Sequence, residues 1–241
     1  MKYIITSDFH LKFYENEDDK QRRSRIEKFL MSLIGNIDGL ILAGDIFDLW
    51  VEWDNVIIMN YFNTLKIFSL LKESGCRLVY LSGNHDFWLG KFLKEEIGFE
   101  IYKDNFTDTI NGKQLFISHG DLYTKNDFRY KFFRRLLRLN VIEKIFKLLH
   151  PDIALKIGRS LSRTSRNRKT SHKLSAKKEE GLLLKAKKLQ KKYDLIIFAH
   201  THNPLEINML DSKYFNCGDW LYNNSYVYFD EYLTELRYYK K

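Results

Sequence analysis

Apolar positions in the first third of the chain alternate between two periodicities. Short apolar, β-branched runs at residues 2–7, 39–43 and 77–81 predict buried strands. Between them, residues 22–34 and 60–73 repeat their apolar positions at the spacing of an amphipathic helix. Because strands joined through helices pair with right-handed crossovers, this order predicts a largely parallel sheet and an α/β fold.

The later part of the chain adds further strands. The Asn-Gly pair at 111–112 stands between two alternating runs, 107–110 and 114–118, and therefore predicts a hairpin. Residues 195–199 form a continuous apolar run, which predicts another buried strand, and short β segments follow Pro204. We expect these strands to complete the core.

Residues 125–192 differ in both pattern and charge. They are predicted to be helical, with a break at Pro151, and they hold 22 Lys and Arg against 5 Asp and Glu, a net charge of +17. The whole chain carries +9, so the remainder carries −8. We interpret the segment as an insertion on an acidic body. It suits an anionic partner (phosphate groups, nucleic acid or a membrane surface), unless these are only solvated helix faces.

Composition excludes several protein classes. With 44% hydrophobic and 15% aromatic residues among 241, the chain is not disordered. Two cysteines cannot form a disulfide scaffold or a thiolate zinc site. The N-terminus soon reaches the polar residues 7–10, so no signal peptide is expected, and no run approaches the ~20 apolar residues of a membrane span. We therefore expect a cytoplasmic protein.

Potential metal ligands follow five of the predicted strands. Because α/β sheets bind ligands outside the carboxyl ends of their strands, we expect these side chains to converge. Five of the seven histidines lie in these motifs; His150 and His172 are interpreted as ordinary surface or core residues. The motifs are Asp8-Phe9-His10, Gly44-Asp45-Ile46-Phe47-Asp48, Gly83-Asn84-His85-Asp86, His119-Gly120-Asp121 and His200-Thr201-His202.

Each motif alone has an ordinary structural explanation. Asp8 and Asp45 are compatible with turns or helix caps, and Asn84 with a left-handed turn. His119 could be a hydrogen-bonded core histidine. Five such coincidences are harder to accept than one shared site, so we favour metal binding.

The types of ligand indicate the metal chemistry. Carboxylates and imidazoles with one amide, and no thiolate, suit Mn, Fe, Zn or Co. Two such ions ~3.5–4 Å apart would share a carboxylate, activate a water and clamp the oxygens of a phosphoryl group. The motifs therefore favour phosphoester hydrolysis.

The ordered set of motifs resembles the calcineurin-like metallophosphoesterases over nearly the whole chain. The resemblance implies a β-sandwich core flanked by helices, in a single domain over 1–241, with a helical cap inserted at 124–192. It also implies two divalent metal ions. The first would be held by Asp8, His10 and His202, the second by Asn84, His119 and His200, with Asp45 bridging both.

The same resemblance assigns the catalytic residues near the metals. His85 and Asn84 would stabilise the phosphoryl group, and Asp86 would orient His85 from behind. The family more often carries Gly where this chain has Ala199, a change that is tolerated unless the backbone there needs a positive φ.

A narrower resemblance is to the UDP-2,3-diacylglucosamine diphosphatases of lipid A biosynthesis. It rests on residues 119–135, 149–152, 162–166 and 216–220. It implies hydrolysis of a lipid-linked nucleotide to UMP and 2,3-diacylglucosamine 1-phosphate, typically with Mn²⁺. The chain departs from this pattern at His85, where many of these enzymes carry Arg, and that puts the exact substrate in question more than the reaction.

The insertion fits a lipid substrate. Its arginines alternate with apolar residues, so a helical cap could hold acyl chains and meet an anionic membrane, although the apolar positions could also serve only to pack the helices. We expect peripheral association with the cytoplasmic face of the inner membrane. The residues expected to bind substrate are Asp121, Ser162, Arg163, Arg166 and Lys169.

Two rival functions remain open from the sequence. The first is a nuclease or nucleotide phosphodiesterase that uses the basic segment on nucleic acid; the apolar character of residues 141–161 disfavours it. The second is a non-catalytic scaffold of the same fold, which the complete set of predicted ligands disfavours.

Overall fold

The computed structural model describes residues 1–125, 134–166 and 172–240; within these, the side chains of residues 161–166 and 172–177 are not described. Short helical turns at Met59–Tyr61, Phe92–Glu96 and Asp121–Tyr123 accompany the main elements. In chain order those elements are β1 (Tyr3–Thr6), α1 (Glu17–Leu33), β2 (Gly39–Leu42), α2 (Phe62–Glu73), β3 (Arg77–Leu81), β4 (Glu100–Tyr102), β5 (Asn105–Ile110), β6 (Lys113–Ser118), α3 (Asn140–Leu148), α4 (Pro151–Arg166), α5 (His172–Leu189), β7 (Leu195–Phe198), β8 (Leu205–Asn208), β9 (Lys213–Asn216), β10 (Ser225–Phe229) and β11 (Thr234–Tyr238).

The described strands form two sheets. One has the order β11-β10-β1-β2-β3-β4, and the other has the order β5-β6-β7-β9-β8. Strands β1 to β4 are parallel, as the β-α-β-α-β pattern predicts, and β6, β7 and β9 are parallel in the second sheet. The predicted hairpin is also present: β5 and β6 pair antiparallel around a turn in which Asn111 and Gly112 both have positive φ.

Side-chain alternation along the strands divides the interior into layers. In β1, Ile5 points into the core between the sheets, whereas Ile4 points toward α1 and α2. The inter-sheet core contains Val79 of the first sheet and Ile197 of the second. The fold is therefore a β-sandwich with helices outside, which confirms the predicted α/β sandwich.

The helices of the basic segment, which was predicted as a helical cap insertion over 124–192, pack in two places. α3 and α4 pack on the same outer core of the first sheet as α1 and α2. The ring of Phe146 lies 5.0 Å from the ring of Trp88, and Ala154 is buried. α5 instead packs Leu182 and Ala186 on the outer face of the second sheet. It therefore forms an outer layer of the sandwich, because its apolar face is needed to cover that sheet.

None of the helices in the described part of the chain is both long enough and apolar enough for a membrane span.

Candidate metal centre

The loops after five strands bring the seven predicted metal ligands to one edge of the sandwich. Asp8 and His10 follow β1, Asp45 follows β2 and Asn84 follows β3, all in the first sheet. The second sheet supplies His119 after β6, and His200 and His202 after β7. The strand ends of the two sheets meet here because their parallel strands run toward the same edge.

One cluster consists of Asp8, His10 and His202. Oδ1 of Asp8 lies 3.3 Å from Nε2 of His202 and 3.6 Å from Nε2 of His10. The two Nε2 atoms are 3.4 Å apart. All three side chains can therefore offer one atom to a single cation.

A second cluster consists of Asp45, His119 and His200, with Asn84 between the two imidazoles. Oδ1 of Asn84 lies 3.0 Å from Nε2 of His119 and 2.8 Å from Nδ1 of His200. Oδ2 of Asp45 lies 3.5 Å from Nε2 of His119. The amide oxygen, the carboxylate and the two ring nitrogens again converge on one point.

Asp45 connects the two clusters through one oxygen. Its Oδ1 accepts the backbone N–H of His85 at 2.8 Å, which leaves Oδ2 directed between the clusters. That Oδ2 is also 3.8 Å from Nε2 of His10, in the first cluster. If each cluster held an ion, this carboxylate would contact both.

In three of the imidazoles, the ring nitrogen that points away from the clusters lies against a hydrogen-bond acceptor. Nδ1 of His10 lies 3.2 Å from Oδ1 of Asp48, and Nδ1 of His202 lies 3.1 Å from Oδ2 of Asp219. Nδ1 of His119 lies 2.8 Å from the carbonyl oxygen of Ala43. Each Nδ1 therefore carries the hydrogen in a neutral ring and leaves Nε2 free to bind a metal, the usual arrangement of metal-binding histidines. The donor set thus fits divalent metal ions.

Asp48 and Asp219, which contact the rings of two predicted ligands, are residues that sequence reasoning missed. Both lie in motifs already noted, Asp48 in the segment 44–48 and Asp219 in the segment 216–220. The signal was present, but only tertiary contact reveals which imidazole each carboxylate supports.

The ligand loops are held in a strained backbone conformation. Asp8, His10, Asp45, His200 and His202 all have positive φ, between 46° and 68°. Such values cost about 1–2 kcal/mol per residue and cluster at functional sites.

Ala199, which stands where the family more often carries glycine, is not one of these strained residues. In this structure φ is positive at His200 and not at Ala199, so Ala199 has no need of a glycine's conformational freedom. The substitution noted in the sequence is therefore compatible with the loop.

Asp86 holds the Asp45 loop and not the ring of His85, which corrects the sequence prediction. Its carboxylate accepts the backbone N–H groups of Ile46 at 2.7 Å and of Gly83 at 2.8 Å. It also accepts the hydroxyl of Tyr80 at 2.5 Å. The Asp86 carboxylate is fully buried and accepts from several backbone N–H groups. It therefore fixes the loop geometry, because each of these N–H groups would be a buried donor without a partner if the loop moved away.

His85 lies beside the first cluster. Its Nδ1 faces the carbonyl oxygen of Asp48 at 3.3 Å, and its ring packs edge-on against His10 with centroids 4.9 Å apart. The side chain is half-buried. Nε2 is therefore the ring nitrogen that remains for a substrate.

Of the predicted substrate-binding residues, only Asp121 has a described side chain. Asp121 is buried, and its carboxylate pairs with Nε of Arg134 at 2.6 Å, so it anchors the start of the basic segment to the body. The side chains of Ser162, Arg163 and Arg166, in α4, lie outside the described residues, as does Lys169 entirely.

Charges within the centre shift its pKa values strongly. Burial disfavours protonation of His119 and His202, but the carboxylates of Asp45 and Asp8 outweigh it and raise both pKa values to about 10. Burial, with the positive charge of His119, lowers the pKa of His200 to about 3. Burial alone would raise the pKa of Asp8, yet its histidine neighbours hold it below its ordinary value. Without metal, the site is a network of paired charges.

Two comparisons with known sequences agree with this geometry. The family model described as calcineurin-like phosphoesterase matches residues 1–204. A protein of Psychromonas ingrahamii named UDP-2,3-diacylglucosamine hydrolase is 27% identical, covering 94% of this chain and 93% of its own length. A protein of Porphyromonas gingivalis with the same name is 28% identical, covering 95% and 94%. The resemblances noted in the sequence are thereby confirmed.

A solved structure described as a novel archaeal phosphodiesterase has the same fold. It aligns with a TM-score of 0.51 and 18% identity, over 98% of each chain. With the family match over residues 1–204, the prediction of an enzyme is confirmed. The chain belongs to the calcineurin-like phosphoesterase family, and it is a metal-dependent phosphoesterase.

Proposed function

We propose that this protein hydrolyses the pyrophosphate bond of UDP-2,3-diacylglucosamine, giving UMP and 2,3-diacylglucosamine 1-phosphate in lipid A biosynthesis. The reaction type is supported by one observation: Oδ2 of Asp45 lies between the two ligand clusters. The similarity to hydrolases of that name, over more than 90% of both chains, supports the substrate.

The proposal includes two divalent ions, with Mn²⁺ as the physiological metal and Fe, Zn or Co as alternatives. Asp8, His10 and His202 would hold one, Asn84, His119 and His200 the other, and Asp45 both. When bound, the two ions would supply a water of lowered pKa and positive charge for the phosphoryl oxygens.

The chain's own residues position and stabilise the phosphoryl group. The Nδ1 hydrogen of His85 is directed at the carbonyl oxygen of Asp48, so Nε2 is the atom that meets a phosphoryl oxygen or the leaving group. Asn84 is fixed between His119 and His200 and orients both rings. Asp86 keeps the Asp45 loop rigid, so that these groups need little rearrangement.

We further propose that α3 and α4 meet acyl chains and the anionic cytoplasmic face of the inner membrane. Val141, Ile145 and Leu148 of α3 are 55%, 54% and 85% exposed, so these apolar side chains are not used in packing. Phe146 and Ala154, by contrast, pack on the body. Lys144 and Lys147 lie on the same helix and suit lipid phosphates.

The decisive experiment is incubation of the protein with UDP-2,3-diacylglucosamine, Mn²⁺ and detergent, with chromatographic detection of UMP. His150→Ala, at an exposed cap position, is the matched control for His200→Ala: the control should retain turnover and His200→Ala should lose it. If the enzyme cleaves bis(4-nitrophenyl) phosphate but releases no UMP, the substrate assignment is wrong. Salt-sensitive cleavage of DNA or RNA would then favour the nucleic-acid alternative.

A further inference from the structure

A buried carboxylate on α5 lies behind the loop that carries His200 and His202. Glu179 is 6% exposed, and it accepts hydrogen bonds from the hydroxyls of Thr201 and Tyr214 and from Nδ2 of Asn216. Across the described residues its hydrogen bonds come from these three neutral donors, and it has no ion pair with a cation. A carboxylate buried without a counter-ion is unfavourable for stability alone, which points to another role.

The direction of each hydrogen bond around Glu179 follows from the backbone. The N–H of Gly218 donates to Oδ1 of Asn216 at 3.0 Å, so the amide presents its Nδ2 hydrogens to Glu179 and to Thr201 Oγ1, at 3.0 and 2.7 Å. Because Thr201 Oγ1 accepts from Asn216, its own hydrogen is directed at Glu179. One amide hydrogen of Asn216 and the hydroxyl hydrogen of Thr201 therefore point toward Glu179, and an acceptor is required there.

Thr201 is the residue between two predicted metal ligands. Its N–H donates to the carbonyl oxygen of Ala199 at 2.8 Å, which closes a three-residue turn centred on His200 with φ 68°. A γ-turn with positive φ at its centre is rare and strained, so it must be held by its surroundings. The hydrogen bond from Thr201 to Glu179 ties this turn to α5, while the flanking imidazoles enter the clusters.

We propose that Glu179 is a positioning residue for the metal centre. Through Thr201 and Asn216 it holds the strained His200–His202 loop in the conformation that directs both imidazoles to the metals. It touches no predicted ligand atom and acts only through its neighbours. The proposal rests on the metal clusters and is independent of the lipid substrate.

The test compares Mn²⁺ binding by metal-stripped variants, measured by titration calorimetry and electron paramagnetic resonance. Glu179→Ala should weaken Mn²⁺ binding about tenfold, in the range found for residues that orient metal ligands. Glu179→Gln should stay within about threefold, because its amide oxygen can still accept from Thr201 and Asn216 while its NH₂ meets the Tyr214 hydroxyl. Thr201→Val, which removes the hydrogen bond to Glu179 together with the one that Thr201 accepts from Asn216, should resemble Glu179→Ala.

The matched control is Glu180→Gln, the next residue of the helix, whose side chain is exposed and pairs with Lys125. It should bind Mn²⁺ as the wild type does. At saturating Mn²⁺, KM for bis(4-nitrophenyl) phosphate should be unchanged in all variants, so the defect lies in metal binding. Wild-type Mn²⁺ affinity in folded Thr201→Val or Glu179→Ala, with only lowered thermal stability, would overturn the proposal. If Glu179→Ala does not fold, Thr201→Val decides.

Discussion

Oδ2 of Asp45 lies 3.5 Å from Nε2 of His119, although the two residues follow strands of different sheets. The contact is possible only because the strand ends of both sheets reach the same edge of the sandwich. Asp45 thereby links two ligand clusters, and its loss is expected to affect both.

Asp45→Asn should lower turnover of a phosphodiester by about a thousandfold, equivalent to ~4 kcal/mol in the activation barrier. The amide keeps the shape of the side chain but removes the charge shared by the two clusters. Circular dichroism should report an unchanged fold, and Asp18→Asn, at an exposed position of α1, should retain activity. Full turnover in folded Asp45→Asn would contradict the proposed site.

Removal of the Asp86 carboxylate should destabilise the Asp45 loop. Whichever way the amide of Asp86→Asn turns, its NH₂ group faces a backbone N–H, so we expect a loss of about 2–3 kcal/mol in the free energy of unfolding. Tyr80→Phe removes one donor and should cost about 1–2 kcal/mol. Urea denaturation measures both, with Tyr232→Phe, at a 91% exposed position, as the control. Equal stability of Asp86→Asn and wild type would show that the loop does not depend on this acceptor.

Metal binding should release protons, and Mn²⁺ affinity should increase with pH between about 6 and 10. His119 and His202 have pKa values of about 10 without metal, so both carry protons at neutral pH, whereas a metal ligand must be neutral. Calorimetric titrations in buffers of different ionisation enthalpy will count the protons. A binding enthalpy that does not depend on the buffer would contradict the expectation.

The same pKa shifts set how the stability of the metal-free protein depends on pH. Because the folded-state pKa of each histidine is raised above its ordinary value of 6.5, the stabilisation is fully present below pH 6.5. It is lost as the pH rises through about 10. Thermal denaturation of the metal-free protein across this range checks the sign.

Gly83→Ala should inactivate the enzyme without a change of charge. A Cβ at Gly83 would collide with Oδ1 and the backbone nitrogen of Asp45, so the bridging carboxylate would have to move. Gly75→Ala is the informative control, because open space surrounds Gly75 while its φ of 90° strains an alanine. We expect Gly75→Ala to lose about 1 kcal/mol of stability but no activity. Wild-type activity in Gly83→Ala would contradict this description of the site.

The exposed apolar side chains of α3 should determine binding to anionic vesicles. Leu148→Glu is expected to weaken co-sedimentation with such vesicles about tenfold, ~1.4 kcal/mol, on the order of one buried leucine side chain. Leu210→Glu, at an 89% exposed position between β8 and β9, is the matched control and should have no effect. Hydrolysis of bis(4-nitrophenyl) phosphate should be unchanged in both. If the two substitutions have equal effects, α3 is not the membrane surface.

The sequence alone determined the order of the central elements, and it singled out the seven predicted ligands that the structure brings to one edge. Helical and strand periodicities are local, and acidic and imidazole side chains directly after apolar runs are visible without a structure. Thus β1, β2 and β3 were predicted as parallel strands, and His200 and His202 as a pair directed into one site.

The tertiary structure decided which of these groups meet. Asp8 and His202 are far apart in the chain, and their contact depends on how the two sheets pack, which no local pattern encodes. The same packing brings Asp219 to the ring of His202, and it brings Asp86 to the Asp45 loop where the sequence had predicted a contact with His85. It also places α5 on the second sheet, where Glu179 contacts Thr201. Sequence periodicity indicates that a side chain is buried, but only the assembled layers determine what it is buried against.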